Sequence, residues 1–289
     1  MLRNLQKILV PIDFTDVSLQ ALEFAANMCS KTNAELYVLH IIKKVSNTSS
    51  YLVNMADDSD KVKLVTQQID ALVIENEWLA NIKIHTIVGY GKVHEVIFKI
   101  STDKLIDLIV MGTNGEIFHM TDNMRKYVLG TNAYRTAEIS EVPIITMQKD
   151  RKRKELKKIV LPIDIEDDST TNKVEYAKNI AQMFGAEIHV VAMADDANND
   201  ERAVERMDAI LKGVKSDICQ ANIKVITSII HTSDIPHDIL DYCERAKADL
   251  VVIMCKKTKK MEELILNSEE RFIIKSSKIP VLSVKCKNP

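Results

Sequence analysis

The chain has 289 residues, 46% hydrophobic and 28% charged, the balance of a folded globular protein with room for about two domains. Its 39 basic and 41 acidic residues leave a net charge of −2, so nothing global draws it to nucleic acid or an anionic membrane. No apolar run approaches the roughly 18 residues of a membrane span, and the five cysteines (Cys29, Cys219, Cys243, Cys255, Cys286) lack CxxC or CxxH spacing, which suits free thiols in a reducing cytoplasm.

The N-terminus "MLRNLQKILVPID" runs straight into a strand pattern over 7–13, with no cleavable signal. A helix over 16–32 follows, with Thr15 or Asp16 placed to cap it and Val17, Leu19, Ala21, Leu22, Ala25, Ala26 and Met28 on its buried side. Strands at 34–42, 82–88, 107–112 and 142–147 alternate with helices at about 59–79, 92–103 and 126–139. The strands are short and rich in Ile, Val and Leu, as expected when both faces of a parallel sheet are covered. Strand and helix in alternation predict a doubly wound α/β sheet, with ligands beyond the carboxyl ends of the strands.

The pattern then repeats. "KILVPID" at 7–13 returns as "KIVLPID" at 158–164, and "EFAANMCSKTNAELYVLHII" at 23–42 as "EYAKNIAQMFGAEIHVVAMA" at 175–194. "NIKIHTI" at 81–87 returns as "NIKVITS" at 222–228, "DLIVM" at 107–111 as "DLVVI" at 249–253, and "VPIITM" at 142–147 as "IPVLSV" at 279–284. Five matched segments in one order indicate two complete domains, 1–148 and 158–289, joined by a charged linker at 149–157. The basic cluster of that linker reads as a solvated connection rather than a nucleic-acid patch.

The segments ending at the carboxyl edge carry the functional signal: "VPIDF" after the first strand, "YVLHII" on the second, "IVMGTNG" after the fourth, and "LGTNAYR" opening the next helix. Together they resemble the universal stress protein family, whose nucleotide-binding members carry Gly-x2-Gly-x9-Gly-Ser/Thr after strand four. The resemblance covers both halves, so the chain is similar to a tandem member. It implies two five-stranded sheets of order 3-2-1-4-5, an adenine nucleotide alpha hydrolase-like fold, and pairing through the last strands, made within the chain or in a homodimer. It also implies a site for ATP or another adenine nucleotide, with or without Mg2+. Pro11 and Asp13 would lie beside the adenosine, Ile41 against the adenine, and Met111, Gly112, Gly115, Gly130, Thr131 and Asn132 around the phosphates.

The residue chemistry agrees with this assignment. Gly112 and Gly115 permit positive φ and close backbone approach. Gly130, Thr131 and Asn132 at a helix start offer N–H groups and a hydroxyl to an anion. Asp13 can accept from a ribose hydroxyl or help hold a hydrated Mg2+.

Two departures stand out. Fourteen residues separate Gly115 from Gly130 where the family pattern has nine, and the extra five fall in "EIFHMTDNMRKYVL". Either they bulge outward, or Phe118, Met120 and Met124 fold over the pocket while Arg125 and Lys126 meet a triphosphate. In the second domain "VVIMCKKTKKMEELILNSEERF" lacks all three glycines, although Asp164 matches Asp13 and Ser268 aligns with Thr131, and this domain reads as structural. No H-x3-H, HExxH, GxSxG or Gly-x4-Gly-Lys-Ser/Thr motif is present, so neither a zinc site nor an enzyme nucleophile is expected. His94 and His237 occupy equivalent helix starts, which suggests a shared hydrogen-bonding role there. The expected function is a cytoplasmic stress-response protein regulated by an adenine nucleotide. The alternative is a nucleotide-independent interaction protein with both cradles degenerate.

Overall fold

The structure is a computed structural model and describes residues 5–42, 55–113, 131–148, 155–164, 170–194, 201–255 and 268–285. By its internal contacts the chain divides into two units, Leu5–Ser140 and Glu141–Pro289.

The first unit contains β1 (Lys7–Ile12), α1 (Asp16–Thr32), β2 (Glu35–Ile42), α2 (Met55–Glu75), β3 (Ile84–Tyr90), α3 (Val93–Asp103), β4 (Leu108–Gly112) and α4 (Thr131–Ile139). Its strands run in the order β3-β2-β1-β4, all parallel, with Ile12 opposite His40 and Leu9 opposite Ile109. The near-continuous aliphatic strands are buried as the sequence predicts: Ile8, Leu9, Val10, Leu36, Leu39, Leu108 and Ile109 are wholly enclosed. Thr15, not Asp16, caps α1, accepting from the Ser18 amide, and the helix ends at Asn33 in the left-handed region (φ 57°). α2 starts four residues earlier than the periodicity suggested and gives way to a single 3-10 turn at Glu77–Leu79.

The second unit contains β5 (Ile144–Met147), β6 (Lys158–Asp164), α5 (Thr170–Phe184), β7 (Glu187–Ala194), α6 (Glu201–Gln220), β8 (Val225–His231), α7 (Ile235–Ala246), β9 (Leu250–Cys255), α8 (Ser268–Ser276) and β10 (Val281–Lys285). Its order is β5-β10-β9-β6-β7-β8. The five strands of the second repeat therefore follow 3-2-1-4-5. β5, the closing strand of the first repeat in sequence, lies antiparallel against β10 with Leu282 opposite Ile145.

The duplication extends to backbone and polar detail. Asn33 and Gly185, Asn81 and Asn222, and Leu105 and Lys247 hold matching positive φ values at the same turns of the two repeats. At the amino edge of each sheet one aspartate gathers two backbone amides. Asp107 Oδ2 accepts from Gln6 and Lys7 (2.9 Å each), and Asp249 Oδ2 accepts from Lys157 and Lys158 (2.9 and 3.0 Å). These bonds satisfy donors at the first residues of β1 and β6, which have no neighbour further along the strand.

Candidate functional site

The carboxyl edge of the first unit is built where β1, β2 and β4 end side by side. Ile12 is level with His40, so Asp13 stands beside Ile41. The β1–β4 register carried forward brings Met111 and Gly112 level with Pro11 and Ile12. Pro11, Asp13, Ile41, Met111 and Gly112 are thus neighbours at one edge of the sheet.

Within that group Asp13 is exposed and Ile41 half-buried, while Pro11 and Met111 are enclosed. Asp13 Oδ1 accepts from the Thr15 hydroxyl (2.6 Å) and the Thr15 amide (3.2 Å), so the capping residue of α1 also orients the carboxylate. Partial desolvation pushes this carboxyl up. The Thr15 and Ser18 hydroxyls and the backbone amides of Thr15 and Asp13 outweigh that and hold it below the ordinary range. Asp13 is accordingly an ionised, fixed acceptor at neutral pH.

Gly112 plays a different part from the one its motif suggests. It does not adopt positive φ. A Cβ at this position would stand 2.8 Å from the Val17 carbonyl oxygen and 2.9 Å from Val17 Cγ1. The missing side chain lets the first turn of α1 press onto β4. This close helix–strand approach is the physical reason for the glycine, and a single sequence cannot distinguish it from a phosphate contact.

Two further residues at this edge escaped the sequence reading. Phe14 holds φ at 62°, an uncommon conformation for a large side chain, and its ring lies 5.1 Å from that of His40. His40 Nδ1 lies 2.9 Å from the Ile12 carbonyl oxygen. A carbonyl only accepts, so Nδ1 carries the proton and the imidazole is fixed to β1. No motif spacing signals either contact.

Thr131 and Asn132 form the first turn of α4, which carries no acidic residue, and the Asn132 carbonyl accepts from the Thr136 hydroxyl at 2.7 Å. Gly115, Gly130 and the insertion with Phe118, Met120, Met124, Arg125 and Lys126 lie outside the described residues.

The corresponding edge of the second unit has another chemistry. Met254 and Cys255, both buried, stand where Gly112 and Thr113 stand in the first. The first turn of α8 carries Glu269 and Glu270, and Glu270 is only 5% exposed. Burial, with the Glu270 carboxylate adding to it, pushes the Cys255 thiol up. An anion at this helix start would meet a carboxylate. The signal was legible in "NSEERF", where the two glutamates follow Ser268 directly, but the sequence reading weighed the absent glycines, Asp164 and Ser268 and not these two carboxylates. Lys256 and Lys257 lie outside the described residues.

The expected common role of the two helix-start histidines does not hold. His237 pairs with Asp234, Nδ1 to Oδ2 at 2.8 Å, and its amide is capped by the same side chain. At the matching place before His94 the chain has Gly91, which offers no carboxylate. Burial and the Arg135 charge instead hold His94 below its ordinary value. Among the described residues no group of three His, Cys, Asp or Glu side chains is arranged to hold a metal ion, and no helix is long and apolar enough to cross a membrane.

The model of the "Universal stress protein family" matches residues 4–147 and again 155–285. The chain belongs to the universal stress protein family. Universal stress protein MJ0531 of Methanocaldococcus jannaschii is 29% identical over 154 residues, spanning 51% of this chain and 84% of that protein. Universal stress protein YxiE of Bacillus subtilis is 25% identical over 150 residues, spanning 49% of this chain and 98% of that protein. A crystal structure of a universal stress protein from Archaeoglobus fulgidus superposes over 97% of this chain and 98% of its own. Its TM-score is 0.75 at 20% identity, a likeness of fold. The two family matches make this a tandem universal stress protein, each repeat an α/β domain of the adenine nucleotide alpha hydrolase-like kind.

Proposed function

We propose that the first repeat binds an adenine nucleotide, ATP or a relative, as a regulatory ligand, and that the second repeat acts as scaffold. The observation that carries this reading is the pairing of Asp13 and Ile41 at the carboxyl edge. An ionised, oriented carboxylate stands beside a half-buried aliphatic side chain. The first can accept from ribose hydroxyls and the second can pack against a purine face. The acid-free first turn of α4 suits the phosphates, with Gly130, Thr131 and Asn132 as donors. Met111 and Gly112 would complete the wall. Mg2+ bound with the phosphates would neutralise their charge, and Asp13 is the carboxylate suited to holding its water shell.

Among the described residues no general base or nucleophile accompanies these groups, and at most slow hydrolysis is expected. In the second repeat Glu270 argues against an anion at the corresponding helix start. Domain limits of 1–148 and 158–289 about a linker at 149–157 fit the repeat pattern. The antiparallel β5–β10 ladder supports last-strand pairing within one chain, leaving a homodimer optional. The cell compartment consistent with free thiols is the cytoplasm.

One observation favours the alternative of a nucleotide-independent interaction protein: Val17 already occupies the space that Gly112 vacates. Titration calorimetry of the nucleotide-stripped protein with ATP and Mg2+ separates the two readings. One site per chain, lost in Gly130→Val and weakened in Asp13→Asn, is the expected result. Absence of heat, with no thermal shift at millimolar ATP, would transfer support to the alternative.

A further inference from the structure

At the amino edge of the second unit's sheet, opposite the carboxyl ends of its parallel strands, lies an open cleft of about 780 Å³. Its walls bring together Lys157, Lys158 and Lys224, the amides of Gln182 and Asn222, and Glu187. A volume of this order is that of an ordinary small-molecule site.

The one carboxylate in the wall is already engaged. Glu187 receives Lys224 Nζ at 2.6 Å and faces His189 Nε2 at 3.2 Å, with Lys158 Nζ at 3.6 Å. It remains ionised well into acid and offers no proton to a ligand. Lys157 pairs with Glu155 at 2.6 Å, both side chains more than 70% exposed, a surface pair that is readily surrendered. Lys158 Nζ also donates to the Ala246 carbonyl at 3.1 Å. Glu155 and Glu187 leave one of the three ammonium charges of the wall uncompensated at the surface, and the Asp249 carboxylate lies buried behind the Lys157 and Lys158 amides.

Several backbone donors of the wall are already engaged. The Lys157 and Lys158 amides go to Asp249, Ala186 N to Ala181 O, Glu187 N to Lys157 O, and Asn222 N to Cys219 O. Recognition falls chiefly to side chains, and three flexible ammonium groups act as point charges that can converge on a compact anion.

The first repeat supplies an internal contrast. Lys7, Glu35, Lys83 and Asn81 stand where Lys158, Glu187, Lys224 and Asn222 do. Gln6 replaces Lys157, and Ser30 replaces Gln182. The framework is shared, while the third ammonium group belongs to the second repeat.

We propose that this cleft binds a small dianion, a phosphate monoester or a dicarboxylate, through Lys157, Lys158 and Lys224. It gives the second repeat a ligand site separate from the carboxyl edge. The test is titration of the full chain with inorganic phosphate and, separately, succinate, against sodium chloride of matched ionic strength, read by amide resonances in NMR. Saturable shifts at Gly185 and Asn222 are expected with the dianions and not with chloride. Lys157→Gln, which installs the residue of the first repeat, should weaken binding about threefold, and Lys224→Gln at least as much. Response to phosphate alone would assign the cleft to phosphate-bearing ligands, response to succinate alone to dicarboxylates, and response to both to dianions generally. Equal shifts with chloride, or dianion shifts unchanged in Lys157→Gln, would overturn the proposal.

Discussion

Val17 and Gly112 are in direct contact across the α1–β4 junction, so close that any Cβ at 112 would fall 2.8 Å from the Val17 carbonyl oxygen. The obstacle is backbone, which cannot rotate aside as a side chain would. Gly112→Ala should therefore destabilise the protein by about 1–3 kcal/mol in urea denaturation, and Gly112→Val by more. A loss of nucleotide binding in either variant would report a displaced helix. Gly130→Val and Asp13→Asn are the substitutions that address the ligand. An unchanged denaturation midpoint in Gly112→Ala would show that α1 is not anchored at this point.

The paired aspartates at the amino edge differ in burial. Asp249 is 3% exposed, whereas Asp107 is half-buried. Replacing either by alanine strands two backbone donors, a loss of about 1–3 kcal/mol where water cannot substitute. Asp249→Ala should cost more than Asp107→Ala, and equal costs would mean that water reaches both sites alike.

Glu35 and Glu187 should contribute to acid sensitivity. Lys83, at 2.5 Å, leads the groups that lower Glu35 from 4.5 to about 2, helped by His85 and Tyr37 against a smaller opposing effect of burial. Lys224, then His189, lower Glu187 to about 2. A depressed folded-state value means that the unfolded chain takes up protons first. The stabilisation is complete above pH 4.5 and is lost as pH falls toward about 2. Thermal midpoints should fall across that window, and the slope should flatten in Glu35→Gln/Glu187→Gln. An unchanged slope in the double variant would place the acid sensitivity elsewhere.

The thiols should divide by burial. Cys29 and Cys243 are enclosed and pushed up to about 12 by desolvation, and Cys255 is raised as well, whereas Cys219 is exposed. Brief alkylation at neutral pH followed by peptide mapping should modify Cys219 well ahead of the other three. Comparable labelling of Cys29 would indicate that α1 opens readily.

Much of the fold was legible from periodicity alone. Short aliphatic runs such as "KILVPI" and "ELYVL", alternating with helical stretches, read as strands of a parallel sheet covered on both faces, and their recurrence at 158 and 187 indicates the tandem arrangement. The placing of Asp13 and Ile41 together came from the family resemblance and not from strand length: β1 ends at Ile12 opposite His40, while β2 runs on to Ile42. The helix starts were less legible. Thr15 and Asp16 are both competent caps, and the choice depends on where the Thr15 hydroxyl meets Asp13 and the Ser18 amide.

The sequence by itself determined the strand–helix alternation, the duplication and the edge on which the candidate residues gather, since each follows from local spacing and a repeated pattern. Tertiary structure decided what the spacing could not: that Gly112 admits Val17, that His40 is pinned to Ile12, that Glu270 is buried at the start of α8, and that β5 lies against β10. All four depend on contacts between separate elements. Their energies arise from close packing and desolvation between elements, which a linear pattern does not record.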